Sequence, residues 1–170
     1  MILAIIGTAG RGTDRDKLTL KHWWKMLEVG RTISEKYHAV EFVSGGAAWA
    51  DHVAVVLSEF LHTPLTLYLP GLADDIETSK KHHYRFSQVI GYDSLQELNK
   101  VSDFFGNTII RKGGFKDRNR DVAKHATHYL AMTFGDGPNL KDGGTAHTVS
   151  LMKHKPGMHL DLHTFNLYSL

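Results

Sequence analysis

The run Ile2-Leu3-Ala4-Ile5-Ile6, closed by Gly7-Thr8-Ala9-Gly10-Arg11-Gly12, decides the fold class. Five apolar residues without alternation suit a strand buried on both faces, as in a parallel sheet. A helix is expected from about Asp16 to Tyr37, because Leu20, Trp23, Leu27, Gly30, Ile33 and Tyr37 recur at steps of three or four and share one face. The next apolar run, Ala39 to Val43, breaks into Ser44-Gly45-Gly46-Ala47, and a second helix carries Ala50, Val53, Ala54, Leu57, Phe60 and Leu61 on one stripe. A third strand, Leu65 to Leu69, ends at Pro70-Gly71. Strands alternating with helices long enough to cross over imply an α/β domain of three layers, with helices on both faces of a mainly parallel sheet. The loops after such strands gather at one edge, where ligands bind.

The middle, about residues 72–114, reads as a less regular insertion packed beside that edge. It opens acidic (Asp74, Asp75, Glu77) and turns basic (Lys80, Lys81, His82, His83, Arg85), with His82 and His83 expected at the surface. Ser94 with Glu97 fits a capping box for a helix through Phe105, and Asn107 to Ile110 fits a short strand. The alternation then resumes. A helix from Asp117 to Ala126 precedes a strand from His128 to Phe134. A glycine-rich loop, Gly135 to Gly144, leads to a helix through about Lys153, and after Pro156-Gly157 a closing strand runs from Met158 to Leu167. No repeat or long linker divides the chain, so residues 1–170 are expected to form a single domain.

Composition narrows the function classes. The 170 residues are 42% hydrophobic and 22% charged, the balance of a folded globular protein. Twenty Lys and Arg against 18 Asp and Glu give a net charge of +2, too little to diagnose nucleic-acid or anionic-membrane binding. With no Cys, disulfides, thiolate zinc sites and a Cys nucleophile are excluded. No apolar run approaches the roughly 18 residues of a membrane span. The apolar start has no basic n-region and is too short for a signal peptide. The expected setting is cytoplasmic.

Three glycine-rich segments follow three strands: Gly7 to Gly12, Ser44 to Ala47, and Gly143-Gly144-Thr145. Glycine lets backbone approach an anion closely, and Thr8, Ser44 and Thr145 add hydroxyls suited to phosphate oxygens. One such loop is an ordinary strand-to-helix turn; three on one sheet edge point to anion or nucleotide binding, with Gly7, Thr8, Gly10 and Arg11 contributed by the first. Arg118-Asn119-Arg120 opens the next helix and suits a phosphate clamp. These residues belong to a basic stretch, Arg111 to Lys124, that also fits a solvated helix end.

Ser44-Gly45-Gly46-Ala47 with Asp51, then Arg118-Asn119, then Gly143-Gly144-Thr145 with Thr148, resembles the SLOG superfamily. That group unites the DNA-processing protein A family with the "lonely guy" phosphoribohydrolases. The resemblance covers most of the chain in order, apart from the middle segment. It implies a Rossmann-like fold binding a nucleotide or nucleotide-derived ligand, with Ser44, Gly45, Gly46, Asp51, Arg118, Asn119, Gly144, Thr145 and Thr148 lining or supporting the pocket. Two positions depart from the hydrolase branch. Thr148 stands where an acidic residue assists N-glycosidic cleavage, and Trp49 stands where a small residue is usual. A threonine cannot supply that carboxylate. The expectation is therefore recognition of a nucleotide by a sensor, sequestering or regulatory protein. The enzyme alternative is a nucleoside-phosphate N-glycoside hydrolase or transferase using Asp136, Asp142 or His147. The third reading is a single-stranded DNA-binding module using Arg111 to Lys124.

The remaining features yield to bland explanations. Alternation places His159, Asp161 and His163 on one strand face, a zinc-type set of ligands, but a half-solvated terminal strand gives the same pattern; no metal and no cofactor are assigned. Trp23 and Trp24 diverge by about 100° on a helix, so one packs inward. The other serves a homo-oligomer contact or is covered by the middle segment. Glu59 lies off its helix's apolar stripe and reads as solvated. The expected partner is a nucleotide-like small molecule, with nucleic acid ranked below it and no membrane.

Overall fold

The interior residues of β1 (Ile2–Gly7) are all buried. Their alternation feeds two cores: Leu3 and Ile5 pack with one set of helices, Ala4 and Ile6 with the other. Burying a large aliphatic side chain is worth roughly 1.5–3 kcal/mol, so a strand apolar on both faces belongs inside the sheet and not at its edge. The computed structural model describes residues 1–104 and 106–170. Around β1 it places β2 (Glu41–Ser44), β3 (Leu65–Leu69), β4 (Thr108–Arg111), β5 (His128–Thr133), β6 (Gly157–Asp161) and β7 (Leu167–Ser169). The spatial order is β4-β3-β2-β1-β5-β6-β7. All pairings are parallel except that of β7, which runs antiparallel to β6.

One face is covered by α1 (Leu20–Lys36), α2 (His52–Leu61), α3 (Ala73–Ile90) and α4 (Ser94–Lys100). The other carries α5 (Phe115–His125) and α6 (Gly144–Ser150). This is a three-layer Rossmann-like α/β fold. The chain winds outward from β1 to β4, then returns to lay β5 on the other side of β1. Ligands of open α/β sheets bind outside the carboxyl ends of the strands at such a switch point. Here that point lies between β1 and β5. Among the described residues no helix is long and apolar enough to cross a membrane.

Several local expectations change. The middle segment is a two-helix crossover, α3 and α4, that returns to the sheet as edge strand β4. Its first helix is regular for 18 residues. Ile76, Ser79, His83, Phe86 and Ile90 keep the helical step, but two of the five are polar, which hides the stripe. His83 is fully buried and not at the surface. The α4 cap is Asp93, whose carboxylate accepts from the Gln96 N–H at 2.9 Å. Ser94 instead turns to His83 and Ser87, and Glu97 lies 2.8 Å from His52 Nε2. After α4 a 3-10 turn ends at Asp103, and the expected terminus at Phe105 lies outside the described residues. The closing strand is two strands, since a turn after Asp161 reverses the chain into β7. Trp23 packs edge-on against Phe86 of α3 at 4.9 Å, while Trp24 is exposed. Leu20, Tyr37 and Phe60, expected on apolar stripes, are exposed at helix ends, and Glu59 is solvated.

His83 docks the crossover onto the site. Its Nε2 donates to the Gly46 carbonyl at 3.0 Å and its Nδ1 meets Ser94 Oγ at 3.0 Å. Burial, reinforced by His52, lowers its pKa from 6.5 to about 4. The fold therefore favours the neutral ring, and between those two values the unfolded chain binds the extra proton. Stability contributed by His83 is complete above pH 6.5 and lost as pH falls toward 4. Urea unfolding should show about 2 kcal/mol less stability at pH 5 than at pH 7 from this group. His83→Gln should flatten that limb; an unchanged slope would contradict the assignment.

Candidate functional site

The carboxyl ends of β1, β2 and β5 enclose a cleft of about 240 Å³. Its core is a buried carboxylate. Asp51 ends a 3-10 turn (Trp49–Asp51) before α2 and is 4% exposed. Asp51 Oδ1 accepts the Gly7 N–H at 3.1 Å, and Oδ2 accepts the Ala47 N–H at 3.4 Å. One side chain thus ties the loop after β1 to the loop after β2. Burial pushes the Asp51 carboxyl upward, opposed by the Arg118 guanidinium and by backbone N–H groups of Ala47, Gly7 and Gly45. Gly7 is required by close approach: a Cβ there would strike the Met132 carbonyl and the Ala50 side chain. Gly46 sits at φ +64°, the left-handed region open to glycine at no cost. Trp49 holds φ +65° without being glycine. Its ring packs on Phe86 at 4.7 Å, and that packing offsets the backbone strain.

The next layer comes from α5. Arg118 donates from Nη1 to the Gly45 carbonyl at 3.2 Å, and from Nε and Nη2 to Asn119 Oδ1 at 3.2 and 3.1 Å. Asn119 Nδ2 reaches the Gly144 carbonyl at 3.4 Å. These bonds join the loop after β2 to the start of α6. A guanidinium has five N–H donors, so two of Arg118 remain for a ligand. Arg118 lies 5.0 Å from the Phe115 ring centroid, and Arg11 lies 4.6 Å from the same ring. Among the described residues no carboxylate oxygen lies within 4.0 Å of either guanidinium. Burial and the Arg11 charge lower the Arg118 pKa, while Asp51 and Asp75 raise it.

The expected residues divide into two groups. Gly7, Thr8, Arg11, Gly45, Asp51, Arg118, Asn119, Gly143, Gly144, Thr145 and Thr148 line the cleft. Gly10, Ser44 and Gly46 stand behind it. Ser44 is spent inside the fold, donating to the Ile5 and Asp51 carbonyls at 2.9 and 3.1 Å. Thr8 is spent too: its hydroxyl donates to Asp14 Oδ2 at 2.7 Å and accepts the Gly10 N–H at 3.2 Å. Thr148 donates to the Gly144 carbonyl at 2.8 Å. Of the three hydroxyls expected to meet phosphate, Thr145 alone has no bond within the described residues. Asp142 lines the cleft, whereas Asp136 and His147 do not. His159, Asp161 and His163 do not converge: Asp161 accepts from the His163 N–H and the Thr164 hydroxyl, and His163 stacks on Phe134 at 5.0 Å. Among the described residues no three His, Asp or Glu side chains are grouped to hold a metal.

No family model matches the chain. A protein of Acanthamoeba polyphaga mimivirus, "Uncharacterized protein R261", is 31% identical across 94% of this chain and 95% of its own length. The chain belongs to that protein's family. Asp14, Lys141, Phe115 and Thr133 are among the lining residues that sequence reasoning missed. Asp14 and Lys141 form an ion pair across the cleft mouth. Phe115 carries both arginines, and Thr133 ends β5. Lys141 and Asp14 are 127 positions apart, so only the fold brings them together. Phe115 carried a local signal, an aromatic three residues before Arg118.

Asp51→Asn keeps one acceptor oxygen and orphans one N–H, costing about 1–3 kcal/mol. Asp51→Ala removes both acceptors and orphans both N–H groups, at about twice that cost. Urea unfolding should rank native above Asn above Ala; equal stabilities would contradict the tie.

Proposed function

We propose that the cleft binds a nucleotide or nucleotide-derived ligand, and that the protein acts as a sensor, sequestering or regulatory molecule of the SLOG type. The observation that carries this reading is the pair Arg11 and Arg118 on one aromatic ring, with no carboxylate within reach and with donor hydrogens unspent. Such a fork suits the oxygens of a phosphate. Glycine backbone at Gly143 and Gly144, with the unbonded Thr145 hydroxyl, lines the facing wall. The switch-point position supports the same ligand class.

The other readings draw less support. An N-glycoside hydrolase of the "lonely guy" kind needs a carboxylate where Thr148 stands bonded to Gly144. The basic stretch Arg111 to Lys124 is partly neutralised: Lys112 pairs with Asp121 at 3.1 Å and Arg120 with Asp117 at 3.2 Å.

The test is a panel of nucleoside mono-, di- and triphosphates, NAD, ADP-ribose and cyclic nucleotides, followed by thermal shift and by chromatography of the small molecule. At least one member should raise the unfolding temperature. Arg118→Gln should weaken its binding about 10- to 100-fold, the loss of a charge-assisted hydrogen bond. Gly45→Ala should act similarly, because its Cβ would lie 2.7 Å from Arg118 Nε and displace the guanidinium. No shift with any member, or full affinity in a folded Arg118→Gln, would refute the reading.

A further inference from the structure

Thr133 ends β5 and is one of the residues lining the cleft, 3% exposed. On the neighbouring strand, His159 is fully buried and held at both ring nitrogens. Its Nδ1 lies 2.8 Å from the Gly137 carbonyl and its Nε2 lies 2.9 Å from Thr133 Oγ1. A carbonyl oxygen only accepts, so Nδ1 carries the proton. In the neutral ring Nε2 is then the lone-pair nitrogen, and the Thr133 hydroxyl donates to it. Burial lowers the His159 pKa, which keeps the ring neutral. The register explains the meeting. Ala131 pairs with His159 and Thr133 with Asp161, so Thr133 and His159 rise from the same sheet face one pleat apart. The other bond to Thr133 Oγ1 comes from the Lys141 backbone N–H at 3.4 Å.

A hydroxyl, a base within hydrogen-bond reach and a third group fixing the base's tautomer make up an activated nucleophile. We propose that Thr133 is a nucleophile with His159 as its general base, and that the cleft hydrolyses a phosphoanhydride of its ligand. The identity of that ligand rests on the nucleotide reading; the reactivity of the hydroxyl does not. In the first step Oγ1 bonds to phosphorus as the bond from phosphorus to the leaving oxygen breaks. The Thr133 proton passes to His159 Nε2, and the leaving nucleotide departs with the bonding pair. In the second step water adds to phosphorus, the Oγ1–phosphorus bond breaks, and Oγ1 recovers the proton held on His159. Phosphate leaves carrying the water oxygen. Arg118 lines the same cleft, and its two unspent donors suit the charge that develops on the phosphoryl oxygens.

A histidine that only anchored the loop after β5 would need its bond to Gly137 but would not make a hydroxyl reactive. Diisopropyl fluorophosphate distinguishes the two, because it phosphorylates activated hydroxyls whatever the natural ligand. Intact mass and peptide mapping of the native protein should find one adduct, on Thr133. Thr133→Ser should still be labelled and Thr133→Val should not. His159→Gln, shown to be folded by its melting curve, should be labelled on the order of 100-fold more slowly. Absence of an adduct on Thr133, or a native labelling rate in folded His159→Gln, would overturn the proposal. Protection by ATP would support both readings. An adduct on Thr133 that ATP neither blocks nor slows would uphold the dyad and refute the nucleotide reading.

Discussion

The carboxylate of Asp51 accepts hydrogen bonds from the ends of two adjacent strand loops, and the rest of the site is built outward from it. Those loops lead into α1 and α2 on the same face of the sheet, and they bring the Gly7 and Ala47 N–H groups to one carboxylate. An unpaired buried N–H costs about 1–3 kcal/mol, so the carboxylate decides whether the loops can sit close together. Once they do, the Gly45 carbonyl is in position for Arg118, Asn119 bridges to Gly144, and the loops after β2 and β5 become one wall. His83 fixes the same wall from behind through the Gly46 carbonyl.

Charge is sorted within the cleft. Lys141 is spent on Asp14, closing the mouth from the β5 side. Arg11 and Arg118 share the Phe115 ring and keep donors for a ligand. A buried guanidinium beside a second one raises the potential at that end, and the aromatic face partly offsets their repulsion. Thr133, buried among the lining residues, sets its hydroxyl 2.9 Å from His159 Nε2.

Much of the architecture is legible in the sequence because burial on two faces writes itself as unbroken apolar runs. Ile2 to Ile6 is such a run, and its strand forms where the apolar residues stand; Leu65, Leu67 and Leu69 mark β3 by alternation. The crossover α3 is not legible, because polar Ser79 and His83 interrupt its stripe, and His83 is satisfied by the Gly46 carbonyl 37 positions away. The end of the chain misleads for another reason: Asp161 accepts bonds from His163 and Thr164 and turns the chain where alternation alone suggests one long strand. For the site, glycine loops mark the strand ends well. Roles of single hydroxyls do not follow from them, since Ser44 and Thr8 look like phosphate ligands until their internal partners are seen. Asp14 meets Lys141, and His159 meets Thr133, only through the strand order.

The central claim is that the loop ends tied by Asp51 and Arg118 form one ligand-binding wall. The most direct measurement is an amide chemical-shift titration of the isotopically labelled protein with AMP, ADP and ADP-ribose in turn. The account predicts that at least one ligand shifts amides from Gly7 to Arg11, Gly45 to Ala47 and Gly143 to Thr148 together, saturating with a single binding constant. Shifts confined to one loop, or gathered on the α1 or α3 surface, would contradict it.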